Sequence, residues 1–237
     1  MKNIAIIIAG GSGTRMGQDI PKQFINVGEK PIIIYTLEAF QKHPSIDGII
    51  VVCIKGWENI LSSYAKQFNI TKLTSIVEGG ECGQESIKNG LDEAKKIYGE
   101  DNIVLIHDAI RPMVNNDIIS ENIAKCELYG NATTVVPCTT VVLNKTTSEY
   151  STEIVDRDNI YLTQTPQAFL LKDILSAHEE AKEKGITNSV ASCTLYAELG
   201  RKVYYSAGSE TNIKLTRPAD IDIFKALLNV DRSGWLK

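Results

Sequence analysis

The sequence has no two cysteines close enough for a metal or redox motif. Its five (Cys53, Cys82, Cys126, Cys138, Cys193) are odd in number and far apart, which argues against a Cys-x-x-Cys centre. Cys53 and Cys138 stand in apolar surroundings and read as buried small hydrophobes of a protein in the reducing cytoplasm. Long basic runs are also missing, and the formal net charge is −4, so no nucleic-acid partner is expected. No apolar stretch approaches a membrane span, and the N-terminus lacks the h-region and cleavage pattern of a secretory signal. Neither a repeat nor a linker between two cores is visible, and residues 1–237 are expected to form one domain. Histidine is scarce, at three residues. His43 and His178 read as inert positions on helix surfaces. His107 reads as a partly buried hydrogen-bonding group, because no nucleophile–base–acid set surrounds it.

Two familiar phosphate-binding signatures are absent too. A P-loop ends in Gly-Lys-Ser/Thr, and no such triplet occurs. A dinucleotide fingerprint needs a third glycine where Met16 stands. What is present is Ala9-Gly10-Gly11-Ser12-Gly13-Thr14-Arg15-Met16-Gly17, directly after the apolar run Ile4–Ile8 and running on to Pro21-Lys22-Gln23-Phe24. Three glycines in four positions let a backbone turn sharply and bring its N–H groups close to an anion. Arg15 and Lys22 place two cations beside that anion. The chain therefore opens with a glycine-rich nucleotide loop of another kind.

Behind the loop, helical spacing is expected over 31–42, 57–68, 84–97, 117–129, 171–184, 189–199 and 218–229, and apolar strands over 4–8, 48–54, 73–77, 103–107, 132–137 and 202–206. The alternation indicates an α/β, Rossmann-like fold, a mostly parallel sheet with helices on both faces. The rhythm breaks over 138–161, which is rich in Thr, Ser, Asn and Asp. Its β-branched pieces predict an ordered β-arm that could serve as a lid or pack on another subunit.

Ligands of open α/β sheets bind beyond the carboxyl ends of the strands. Polar residues at those ends are the glycine loop with Arg15 and Lys22, then Gly79-Gly80-Glu81 with Ser86, then His107-Asp108-Ala109-Ile110-Arg111. Asp108 is placed to hold Mg²⁺ between protein and phosphates; alternatively it caps its turn and pairs with Arg111. Later in the chain, Arg157 reads as a solvated charge, while Lys214, between Ile213 and Leu215, points either into a cleft or to solvent.

These segments resemble a known family. The glycine loop, Pro21-Lys22-Gln23-Phe24, Gly79-Gly80-Glu81, His107–Pro112, Asp156-Arg157, Gln164-Thr165-Pro166-Gln167 and Asn212-Ile213-Lys214 are similar, in order along the whole chain, to the polyol-phosphate cytidylyltransferases. Two branches use 2-C-methyl-D-erythritol 4-phosphate and D-ribitol 5-phosphate. The resemblance implies a nucleotidyltransferase-type fold and transfer of CMP from CTP to a polyol phosphate with loss of pyrophosphate. It assigns Arg15, Lys22, Asp108 and Lys214 to catalysis, with Mg²⁺ on Asp108. Ala9, Gly10, Gly11, Ser12, Gly13, Gly80, Glu81 and Ser86 would bind the nucleotide. Arg111, Thr140, Arg157, Thr165 and Lys214 would bind the acceptor, with Thr140 and Arg157 carried across a homodimer by the arm. Two departures stand out. Gly83 replaces a usual arginine on the cytosine side, and Ser189-Val190-Ala191-Ser192-Cys193-Thr194 replaces a helix opening on a Thr-Asp pair that members of both branches usually carry and that is a regular feature of the isoprenoid one. The Ser189–Thr194 departure, with Lys55-Gly56-Trp57 and Gln164-Thr165-Pro166-Gln167, favours D-ribitol 5-phosphate as acceptor, the isoprenoid substrate being the alternative. A nucleotide-binding protein without turnover is a second alternative.

Overall fold

The structure is a computed structural model that describes residues 1–11 and 20–230. In chain order its elements are β1 (Asn3–Ala9), β2 (Asn26–Val27), β3 (Lys30–Pro31), α1 (Ile32–Lys42), β4 (Gly48–Cys53), α2 (Glu58–Gln67), β5 (Leu73–Glu78), α3 (Gly83–Tyr98), β6 (Ile103–Asp108), α4 (Asn116–Tyr129) and β7 (Asn131–Pro137). There follow β8 (Val142–Asn144), β9 (Glu153–Val155), β10 (Tyr161–Leu170), α5 (Leu171–Glu183), α6 (Ser192–Glu198), β11 (Tyr205–Ala207) and α7 (Pro218–Leu228).

Seven strands form one sheet in the order β11-β7-β10-β6-β1-β4-β5. All neighbours are parallel except β10, which runs antiparallel between β6 and β7. The expected mostly parallel sheet is therefore correct, but its reading lacked β10. Pro166 and the polar run 163–167 conceal that strand, since proline cannot donate to a ladder. The register shifts between Thr163 and Gln167 to accommodate it. Helix α6 is also shorter than expected, beginning at Ser192 rather than Ser189.

Strand alternation sends successive apolar residues to opposite faces. Ala5, Ile7, Ile49, Val51 and Leu105 pack under α1, α2 and α4. Ile4, Ile6, Ile50, Val52, Val104 and Ile106 pack under α3 and α5. Helix α3 lies close because Gly90 has no side chain, and a Cβ there would meet Ile6 at 2.6 Å and Val52 at 2.9 Å.

Register brings the loops to one edge. Ile8 pairs with both Val52 and Asp108, and Cys53 with Glu78. The chain thus leaves β1, β4, β5 and β6 at one level, where polar residues of successive loops can meet. The expected arm takes the form of the hairpin β8–β9, with Leu143 opposite Ile154.

The histidines depart from their expected surface placement. His43 is buried at the end of α1, its Nε2 2.9 Å from Ser120 Oγ and its Nδ1 accepting the Ser45 N–H. His178 is buried on α5, and burial lowers its pKa to about 4. Hydrophilic residue type misled the helix-face assignment at both positions.

Candidate active site

A cleft of about 540 Å³ opens at the carboxyl edge of the sheet, a size that suits a small-molecule site. Its lining unites Ala9, Gly10, Gly11, Lys22, Gly80, Glu81, Ser86, Asp108, Arg111, Thr165 and Lys214, which the sequence had scattered over more than two hundred positions. Ser12, Gly13 and Arg15 lie outside the described residues. Thr140 and Arg157 do not line the cleft of their own chain.

On the nucleotide side, a short 3-10 turn, Lys22–Phe24, braces the start of the glycine loop. Gln23, which sequence reasoning quoted but gave no role, is buried, and its Nε2 donates to the Ala9 carbonyl at 2.7 Å and the Gly11 carbonyl at 3.1 Å. A trans peptide points its N–H opposite its carbonyl, so the bond to Ala9 turns the Gly10 N–H away from Gln23. Phe24 stacks on Trp57 with ring centroids 4.6 Å apart, so Trp57 packs beneath the turn that carries Lys22. The glycine loop also touches the next one, since a Cβ on Gly79 would lie 3.3 Å from Gly10 Cα. Ser86 Oγ accepts the Gly80 N–H at 3.0 Å. Gln84 donates to the Ile186 carbonyl and accepts the Ser189 N–H, tying segment 186–191 to α3. Val190, Ala191 and Ser192 consequently border the cleft, and two of these three side chains are apolar.

Opposite them lies a cross-braced ionic floor. Asp108 Oδ1 accepts Lys214 Nζ at 2.9 Å, and Oδ2 accepts Arg111 Nε at 3.1 Å. Burial raises the pKa of Asp108, but Lys214 and Arg111 outweigh it and hold the carboxyl below its usual value. The expected alternative pairing with Arg111 is therefore realised, and Lys214 points into the cleft. Arg111 Nη1 donates to the Asn212 carbonyl, while Asn212 Nδ2 donates to Gln164 Oε1 and the Thr165 carbonyl. Asn212 thus joins the β6 loop, β10 and the irregular segment bearing Lys214. Its only sequence signal was its place two residues before Lys214.

His107, expected to be partly buried, is completely enclosed. Its Nδ1 lies 3.1 Å from Thr165 Oγ1 and its Nε2 3.2 Å from the Arg111 carbonyl. Burial lowers its pKa to about 4. Among the described residues, no group of three or more His, Cys, Asp or Glu side chains is arranged to hold a metal ion by itself.

On the arm, Arg157 Nη1 donates to the Thr139 carbonyl at 3.0 Å, and the guanidinium lies 3.8 Å from Asp158. Thr140 is exposed beside it.

A three-layer α/β sheet with a glycine loop and convergent cations at its carboxyl edge is nucleotidyltransferase-like. The family described as IspD, 2-C-methyl-D-erythritol 4-phosphate cytidylyltransferase, matches residues 3–230. The chain belongs to this family and is a cytidylyltransferase. It is 42% identical over 226 residues to a ribitol-5-phosphate cytidylyltransferase of Lacticaseibacillus paracasei, covering 94% of this chain and 97% of that one. A 2-C-methyl-D-erythritol 4-phosphate cytidylyltransferase of Clostridium botulinum is 38% identical over 230 residues, covering 96% and 97%. The crystal structure of 4-diphosphocytidyl-2C-methyl-D-erythritol synthase from Anaerococcus prevotii matches with a TM-score of 0.81 at 27% identity, covering 97% and 99%.

Proposed function

We propose that the enzyme transfers CMP from CTP to D-ribitol 5-phosphate, giving CDP-ribitol and pyrophosphate. The observation that carries this reading is the convergence of Lys22, Asp108, Arg111 and Lys214 on one cleft beside the glycine loop. A phosphate oxygen of the acceptor bonds to the α-phosphorus of CTP as the bond to pyrophosphate breaks. Such a displacement asks the protein mainly for positioning and for charge stabilisation. Lys22 faces the developing charge, a role that the family resemblance also gives to Arg15. The backbone of residues 9–13 holds ribose and phosphates, and Gly80, Glu81 and Ser86 border the base. Arg111, Thr165 and Lys214 receive the acceptor.

The residues fit Mg²⁺ as a nucleotide-borne ion. Each oxygen of Asp108 already accepts one cationic group and keeps a second lone pair. Two cations at this carboxylate disfavour a free dication, so Asp108 would hold Mg²⁺ together with the triphosphate, where the ion would neutralise phosphate charge.

The acceptor is supported by the relatives, since the Lacticaseibacillus paracasei protein named for ribitol 5-phosphate is 42% identical and the Clostridium botulinum one named for methylerythritol phosphate 38%. Val190, Ala191 and Ser192 border the cleft and belong to the stretch that departs from the Thr-Asp pair regular in the isoprenoid branch, which supports that choice. Homodimerisation is part of the proposal. The arm exposes Val141, Leu143 and Ile154, and a second copy would cover them while receiving Thr140 and Arg157 in its cleft. The five free cysteines support a cytoplasmic site of action.

Pyrophosphate release with CTP, Mg²⁺ and either acceptor tests the reading. D-ribitol 5-phosphate is expected to give the higher kcat/KM. Preference for 2-C-methyl-D-erythritol 4-phosphate would reassign the acceptor, and no release with any polyol phosphate would leave a nucleotide-binding protein.

A further inference from the structure

We propose that Gln84 is a positioning residue that holds segment 186–192 against α3 as a contact wall for the carbon chain of the polyol, and so governs the affinity for the acceptor and not that for CTP. The inference rests on the polyol-phosphate reading above and deepens it.

The chain between α5 and α6 has no helix or strand of its own, so its backbone must be held by neighbours. Gln84 does not line the cleft; it lies buried behind it, in the first turn of α3. Its Nε2 donates to the Ile186 carbonyl at 2.9 Å and its Oε1 accepts the Ser189 N–H at 2.8 Å. One amide thus grips the segment at two points. Beside it, Cys82 Sγ lies 3.6 Å from the Thr187 carbonyl. At the far end, Gln167 Oε1 accepts the Cys193 N–H at 3.0 Å, close to Thr165 on the same strand. The segment therefore runs from the start of α3 to β10 and closes one side of the cleft. Other polar groups in the crevice behind it add no fastening. Ser192 Oγ and His178 Nε2, on residues that line this crevice with Gln84, are buried without a hydrogen-bond partner among the described residues. The bonds from Ser189 Oγ to Glu198 and from the Ala191 N–H to Thr194 Oγ1 lie within the segment and α6, and move with them.

The chemistry of the wall decides what it can read. Val190 and Ala191 line the cleft with side chains that form no hydrogen bonds, and the Ser192 hydroxyl is sealed beneath them. Such a wall tells ligands apart by fit. A gap of about 0.5–1 Å already forfeits a quarter to a half of a van der Waals contact, so the wall serves the polyol carbons only while it is held at the right distance. The nucleotide side is fastened separately. Ser86 Oγ accepts the Gly80 N–H, and the Glu85 carboxylate accepts the Glu81 N–H at 2.7 Å. Loss of the Gln84 amide leaves both bonds in place.

Gln84→Met keeps the size of the side chain and removes the amide. Steady-state kinetics are compared for wild type and variant with CTP and either D-ribitol 5-phosphate or 2-C-methyl-D-erythritol 4-phosphate, thermal melting confirming that the variant folds. With the acceptor that wild type turns over, the acceptor KM is expected to rise about tenfold, the CTP KM staying near wild type. An unchanged acceptor KM overturns the inference. So does an equal rise in both constants, because general damage to α3 would reach the nucleotide too. If the variant does not fold, hydrogen exchange of the wild-type protein decides. Adding the acceptor to the complex with an α,β-methylene analogue of CTP is expected to slow exchange over 186–192, and the analogue alone is not. Slowing by the analogue alone, or none with the acceptor, overturns the inference while leaving the proposed function standing. A wild-type enzyme that turns over neither acceptor overturns both.

Discussion

The cleft floor and the arm both carry residues assigned to the acceptor, yet they are built in opposite ways. On the floor, Arg111 and Asp108 keep only 12% and 19% of their side-chain surface, and their partners Asn212 and Lys214 stand about a hundred positions away in the chain. On the arm, Arg157 keeps 51% of its side chain exposed, and its partners among the described residues, Thr139 and Asp158, belong to the arm itself. Ile154 is 81% exposed. Charges fixed in a low-dielectric, cross-braced setting stabilise a transition state without reorganising. Exposed pairs are worth about 0–1 kcal/mol and order little by themselves. The floor is therefore preorganised within one chain, and under the proposed homodimer the arm would acquire fixed geometry by packing on a second copy.

The comparison breaks most sharply at Lys22. Lys22→Ala is expected to lower kcat by about 10²–10³ with the fold intact, because charge stabilisation at the phosphorus is lost. Circular dichroism checks folding and pyrophosphate release checks turnover. Turnover close to wild type would remove the cleft's claim to the chemistry.

A mixing experiment then separates the two regions. Arg157→Ala damages the arm and Lys22→Ala the nucleotide side of the cleft, and each homodimer should be nearly inactive. If the arm of one copy serves the floor of the other, a mixed dimer holds one doubly damaged site and one intact site. Equal mixing after subunit exchange should then recover about a quarter of wild-type activity, since half the dimers are mixed. No recovery, with exchange verified, would return Arg157 to its own chain's site.

Legibility in the sequence divides along the same line. Asp108 and Arg111 sit at and just beyond the end of an apolar strand and Lys22 just after the glycine-rich loop, so residue type and position agree and all three were visible. What braces them was not. Gln23, Asn212 and His107 act through hydrogen bonds to backbone carbonyls or to Thr165, and such contacts depend on register rather than on any local pattern. Strand β10 was hidden for a related reason: its polar, proline-interrupted stretch is a strand only because β6 and β7 offer edges on either side. The arm was legible as a break in rhythm and as β-branched composition, but its assignment across a dimer came from family resemblance.

The smallest expected effect on turnover lies behind the floor, at His178 between α3 and α5. Its Nε2 is buried without a hydrogen-bond partner among the described residues, and burial, with Lys88 nearby, lowers its pKa to about 4 against the opposing pull of Asp92 and Glu179. The unfolded chain takes up this proton near pH 6.5, before the folded protein does. Stability is thus fully present above pH 6.5 and declines as pH falls toward 4. Between pH 7 and pH 5 this group alone should remove about 2 kcal/mol. His178→Leu places an apolar side chain there and should shrink the pH-dependent fall in urea stability by that amount, while kcat at pH 7 stays near wild type because the residue does not line the cleft. An equal fall in variant and wild type would mean that His178 is already hydrated in the folded protein, and that the packing behind the floor is looser than the floor itself.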